Sequence, residues 1–228
     1  MSSEANGARP ATVGLLAAVT AVGLDLLVRP RLGPVLAPVS ALLAALGAGL
    51  FVLLPPLEAR QAPLRGLFSV AVLTALLAGL LQWVLGPPLA AAAIVLGAAL
   101  TALLLFCTGA LVLLAPPPWR RAAHGLALGA LLVLALTPVW LAGWLDALSR
   151  WSSAIDALIA LNPLTALAVA GQTDYLRMDW FYRHSPLGSL RFDYPRPMLL
   201  LVGYSLLALA LGLALFRRRH RQPPLNRS

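Results

Sequence analysis

Lysine is absent from this 228-residue chain: all 17 of its basic residues are arginine. Cysteine occurs once, at Cys107 inside an apolar run, so no intrachain disulfide can form and cysteine use gives no reading of compartment. Acid is scarce too, with eight Asp and Glu against those 17 arginines, for a net charge of +9. Charged residues of any kind make up only 11% of the chain, where an ordinary soluble domain carries about 25%. That shortage stands beside 60% hydrophobic residues and a mean hydropathy of +0.85. A water-soluble fold of this length could not hide so much apolar side chain, which points to an integral membrane protein. The arginine-only usage, in a chain this rich in Ala and Leu, reads as the codon bias of a GC-rich bacterium.

Several chemistries lack their residues. There is no GxxxxGK[ST] loop, so the chain cannot supply its own phosphate-cradling ATPase site. There is no HExxH, and the three histidines, His124, His184 and His220, are far apart without ligand spacing, so no metal is expected. No GxSxG nucleophile elbow occurs. Aspartates interleaved with arginines usually form ion pairs, and no catalytic residue, enzyme activity or cofactor is expected. Arginines beside apolar spans orient a protein in the bilayer, which excludes nucleic acid as the partner their charge would otherwise suggest.

What the chain has in abundance is long apolar runs. A spanning helix needs about 20 mostly apolar residues, and six stretches qualify: 11–28, 35–54, 67–86, 89–115, 122–145 and 198–216. The expected fold is therefore all-α, a single polytopic transmembrane domain over 1–228. Pro55-Pro56, Pro87-Pro88 and Pro116–Pro118 punctuate the runs, as residues that cannot continue a helix should. The first run is too long for the core of an ordinary signal peptide and has no convincing cleavage site, so it is read as a retained span. Gly125/Gly129 and Ala93/Gly97/Thr101 form small-residue rows that let helix backbones approach closely.

Orientation follows from arginine. With six spans both termini share a side, and the RRRHR that follows the last run makes that side cytoplasmic. Arg9, Arg60, Arg65, Arg120 and Arg121 then lie inside, the uncharged turn at 86–88 outside, and Arg29 and Arg31 are exceptions to the rule.

The segment 146–197 differs from everything else. It carries five aspartates, five arginines and a dense aromatic run, and by this topology it is external. Leu148, Trp151, Ile155, Leu158 and Ile159 follow helical spacing opposite Asp146, Ser149, Arg150, Ser153 and Asp156. That pattern predicts an amphipathic helix lying at the interface. Asn162-Pro163 then give an N-cap and a first helical position for a second short helix that ends at Gly171. Two such helices make a shallow re-entrant hairpin between the fifth and sixth spans. Beyond it, the aromatic residues, Trp180 among them, read as an interfacial belt. Asp174, Arg177, Asp179 and Arg183 read as an ion-paired rim or as a gate at the outer end of a pathway.

The run Leu161-Asn162-Pro163-Leu164-Thr165, the downstream Arg177 and a last span ending in a basic tail resemble the C-terminal part of ABC-2-type transporter permeases, over roughly residues 120–221. The resemblance implies six spans per subunit and a second permease subunit, as a homo- or heterodimer in the membrane lipid. It also implies a separate cytoplasmic ATPase subunit and an external hairpin that closes the path. Together with the rim read from the segment itself, the hairpin and gate residues are Asn162, Pro163, Asp174, Arg177, Asp179, Trp180 and Arg183. The candidates for ATPase contact are Glu58, Arg60, Arg65, Trp119, Arg120 and Arg121. This chain departs from the family in its short polar MSSEANGARP before the first run and its short PPLEARQAPLRG connector. The expectation is a permease subunit in the bacterial inner membrane, both termini cytoplasmic. The runner-up is a membrane scaffold or assembly factor that binds a partner through 146–197, and a third reading is a lipid-linked transferase or hydrolase using Asp174, Asp179, His184 and Asp193.

Overall fold

The computed structural model of the chain describes residues 63–85, 91–135, 152–170 and 194–221, with Val19, Thr137 and Asp174. Among these residues every regular element is a helix and there is no strand. We label the helices α1 (Pro63–Leu85), α2 (Ala91–Leu114), α3 (Arg120–Ala135), α4 (Ser152–Leu161), α5 (Pro163–Ala170) and α6 (Pro197–Arg221).

Local sequence explains where these helices start and stop. Pro63 opens α1, at a position where its missing N–H costs nothing. The helix therefore begins four residues before the apolar run expected at 67, and Arg65 sits in its first turn instead of in a connector. Pro116 ends α2 at a short 3-10 turn, Pro117–Trp119, which hands directly to α3. Arg120 and Arg121 are thus the first residues of a helix. At the far end α6 continues beyond the apolar run through Arg221.

The hub is α2, which packs against α1, α3, α5 and α6. Its Ala93, Gly97 and Thr101 are all buried, so this small-residue row is used inside the bundle. Thr101 and Thr108 satisfy their hydroxyls by donating to the carbonyls of Gly97 and Leu104, each at 2.8 Å. The Gly125/Gly129 row on α3 is exposed, and a Cβ built at either glycine meets nothing within 4 Å.

Contact order fixes helix direction. Phe68 of α1 meets Phe106 of α2 edge-on at 6.4 Å, while Gly79 approaches Ala98 and Ile94, so α1 and α2 run antiparallel. Leu100 gathers with Leu200, the Cys107 thiol lies 3.8 Å from the Tyr204 carbonyl, and Arg218 reaches Leu114. As numbers rise on α2 they rise on α6, so those two helices run parallel. The bundle therefore has two distinct ends, one at Arg65, Trp119 and Arg218, the other at Trp83, Ala91 and Pro197.

Two helices, Ala91–Leu114 and Pro197–Arg218, are long and apolar enough to cross a membrane. Leu64–Leu80 of α1 is apolar but shorter, and α3 is described over 16 residues. The runs expected at 11–28 and 35–54 lie outside the described residues, so the described helices do not support a count of six. At 25 residues α6 extends about 37 Å, against about 30 Å for the hydrocarbon core. Its surface is mostly exposed apolar side chain, including Leu199, Val202, Leu206, Leu209, Leu213 and Phe216. In water that would be costly. In lipid it is the expected outer face.

Candidate functional site

The most specific local structure lies at the Leu161-Asn162-Pro163 junction. The Asn162 N–H donates to Ile159 at 3.3 Å, closing the last turn of α4. Its carbonyl accepts from the Ala166 N–H at 3.2 Å, the first bond of α5. This is the arrangement expected of an N-cap, with Pro163 following where no donor is needed. Asn162 is 1% exposed and Thr165 wholly buried; polar groups so deep are held by hydrogen bonds.

An eight-residue helix has little stability of its own, and α5 is held by packing. Thr165, Ala166, Leu167 and Ala168 have no exposed surface. Ala166 and Ala170 sit with Leu100 of α2 and Leu200 of α6, while Leu167 and Ala168 join the larger cluster of Leu104, Leu105 and Ala110. The alanines let the short helix approach its neighbours closely, as small residues do between helices in a membrane. The second helix of the hairpin is therefore inserted among α2, α3 and α6. Its first helix also differs from expectation: Ile155 and Ile159 of α4 face the protein core, so the apolar stripe packs on the bundle instead of lying on lipid. Leu148, Trp151 and the polar residues 146–150 lie outside the described residues.

Four residues past α5, the Asp174 carboxylate accepts a hydrogen bond from the Tyr194 hydroxyl at 2.7 Å. Tyr194 stands three residues before α6 and packs partly on the core cluster. The bond pins together the two ends of the charged, aromatic segment between them. Of the expected gate residues, Asn162, Pro163 and Asp174 are among the described residues, and Tyr194 is the hydrogen-bond partner of Asp174. Arg177, Asp179, Trp180 and Arg183 lie outside the described residues.

At the opposite end, Trp119 and Arg121 are exposed and Arg120 half-buried. Arg65 is exposed on the first turn of α1, and Glu58 and Arg60 lie outside the described residues. The Arg218 guanidinium crosses from α6 to donate to the Leu114 carbonyl and, at 3.4 Å, to that of Ala115. Those carbonyls end α2 and have no partner within their own helix, so a cation there satisfies both hydrogen bonding and the helix dipole. Sequence reading gave the arginine tail to orientation alone; a cation separated from its acceptors by a hundred residues leaves no local signal.

Among the described residues an apolar groove of about 620 Å³ lies between α1 and α2, lined among others by Val72, Leu76, Gly79, Trp83, Val95 and Ala98. No titratable group lines it. Among the described residues no three His, Cys, Asp or Glu gather as a metal site would require. No family model matches the chain, and neither a curated protein nor a solved structure matches it.

Proposed function

We propose that the chain is a transmembrane permease subunit of an ABC-type transporter, moving a substrate across the bacterial inner membrane with a separate ATPase subunit. The observation that supports this most is the hairpin broken at Asn162-Pro163 and buried between α2 and α6, toward the end opposite Arg218. Backbone that leaves a regular helix within a membrane needs protein or a water-filled cavity around it, and such breaks recur where a path must open and close. On this reading the chain has six spans, with both termini and the arginine end cytoplasmic. The hairpin, Asp174 and the neighbouring Arg177, Asp179, Trp180 and Arg183 close the outer end of a path shared with a second permease subunit. Glu58, Arg60, Arg65, Trp119, Arg120 and Arg121 meet the ATPase, whose ATP binding shifts the bundle between two states.

The test is copurification of the tagged full chain in mild detergent, followed by an ATPase assay. An ATPase subunit should be retained, and Asn162→Ala with Pro163→Ala should lower transport while membrane insertion is unchanged. Full transport by that double variant removes the hairpin from the mechanism. A second reading, a scaffold that displays the outer segment to a partner, is favoured by the Tyr194–Asp174 bond that ties the base of that segment. Recovery of an exclusively extracytoplasmic partner, with no ATPase, would replace the first reading by the second.

A further inference from the structure

Among the described residues, the arginines at one end of the bundle have no acidic partner. Arg65 on α1, Arg120 and Arg121 on α3, and Arg217 and Arg218 on α6 lie at the same end of the bundle because α1 and α2 run antiparallel, α2 and α6 parallel. Among the described residues only Arg218 is committed, to the carbonyls of Leu114 and Ala115. That contact brings the last turn of α6 to the corner where the chain turns into α3, five residues before Arg120. The Arg120 Nε is buried without a hydrogen-bond partner. The described acids are Asp156 on α4 and Asp174, which accepts from Tyr194.

The surroundings say what kind of anion fits. Leu213 and Phe216 of α6 and Leu126 of α3 are exposed large apolar residues within two turns of these arginines, and Trp119 is 66% exposed beside Arg120. A free anion has no use for that neighbouring apolar surface. An amphiphile uses both: its chains lie on the exposed leucines and its phosphate meets the guanidinium forks, whose planar geometry matches phosphate oxygens. Trp119 is placed as an interfacial anchor. We propose that Arg120, Arg121 and Arg217 form a site for the phosphate headgroup of an anionic phospholipid at this end of the bundle. The site does not depend on the transport reading and would exist in a scaffold equally.

The probe is phosphatidylglycerol, titrated into the detergent-solubilised full chain and counted by native mass spectrometry, with phosphatidylcholine and inorganic phosphate in parallel. Phosphatidylglycerol should bind in preference to both. Near an anionic surface each arginine is worth roughly fivefold in affinity, so Arg121→Gln with Arg217→Gln should weaken binding on the order of 30-fold. Either single variant, at an exposed position, should show the fivefold step if the pair folds poorly. Equal binding of phosphatidylcholine overturns the proposal. Unchanged phosphatidylglycerol binding in the variants overturns it too, and so does inorganic phosphate that competes phosphatidylglycerol away, which would make this a free-anion site.

Discussion

Helices α2 and α6 are both long and apolar enough to cross a membrane, and they run side by side in the same direction, yet their environments are opposite. Half of the most apolar window of α2 is buried inside the protein, against 11% for α6. Hydropathy does not separate them; side-chain size and the placement of hydroxyls do. On α2, Ala93, Gly97, Thr101, Thr108 and Ala110 open surfaces on several sides, which α1, α5 and α6 occupy. On α6 the face away from α2 is dominated by leucine, valine and phenylalanine, residues that lipid solvates as well as protein does. In this bundle an apolar helix is a hub where it carries small residues on several sides, and an outer wall where large apolar residues dominate the face away from its neighbour.

The sharpest way to break this contrast is a matched pair of truncations. Leu100→Ala removes a wholly buried side chain that packs with Ala166, Ala170 and Leu200, and should cost about 2–5 kcal/mol. Leu206→Ala, on the exposed face of α6, should stay within about 0.5 kcal/mol. Thermal unfolding in one detergent compares them, and equal losses would mean that α6 is covered by protein. Next in size is Gly79→Leu. A Cβ at Gly79 already meets Ala98 at 3.3 Å, so the larger side chain should cost about 1–3 kcal/mol by overpacking, while Gly79→Ala should cost less. The same melts read both.

How much of this was legible beforehand varies by region, for physical reasons. The helical class and the two long apolar helices follow from hydropathy, and the fourth and sixth runs fall within a few residues of α2 and α6. The hairpin junction was legible because Asn162-Pro163 is a local start signal. The depth of α5 was not, since Leu164–Ala170 is too short and uniform to carry a periodicity. The stripe on α4 was correctly found at Ile155 and Ile159 and assigned to the wrong neighbour, because amphipathicity says a face is buried without saying in what. The small-residue rows make the same point: Ala93/Gly97/Thr101 is packed, whereas Gly125/Gly129 is open. Contacts between distant residues, Arg218 with Leu114 and Tyr194 with Asp174, have no sequence signature at all.

Two smaller predictions sharpen the link between the helices. Arg218→Gln removes the cation from the end of α2 and should cost about 1 kcal/mol, with Arg217→Gln as the control that leaves the Leu114 contact intact. Thermal unfolding in high and low salt separates them, since a dipole-linked cation is screened by salt. The smallest effect is expected at Thr74, which is wholly buried on α1 with its hydroxyl unpartnered. Thr74→Val keeps the shape and removes the unsatisfied oxygen, so stability should be unchanged or slightly raised. A clear loss would reveal a hydrogen-bond partner for that hydroxyl.

The central proposal is that α2 and α6 cross the bilayer together, carrying the arginine end to the cytoplasm and the hairpin end outside. Cysteine labelling with a membrane-impermeant reagent tests it directly, in a Cys107→Ala background. Arg196→Cys, at the exposed start of α6, should label in intact cells, and Trp119→Cys, at the exposed turn before α3, only after lysis. The reverse pattern would invert the molecule, and labelling of both positions from one side would mean that these helices do not span the membrane.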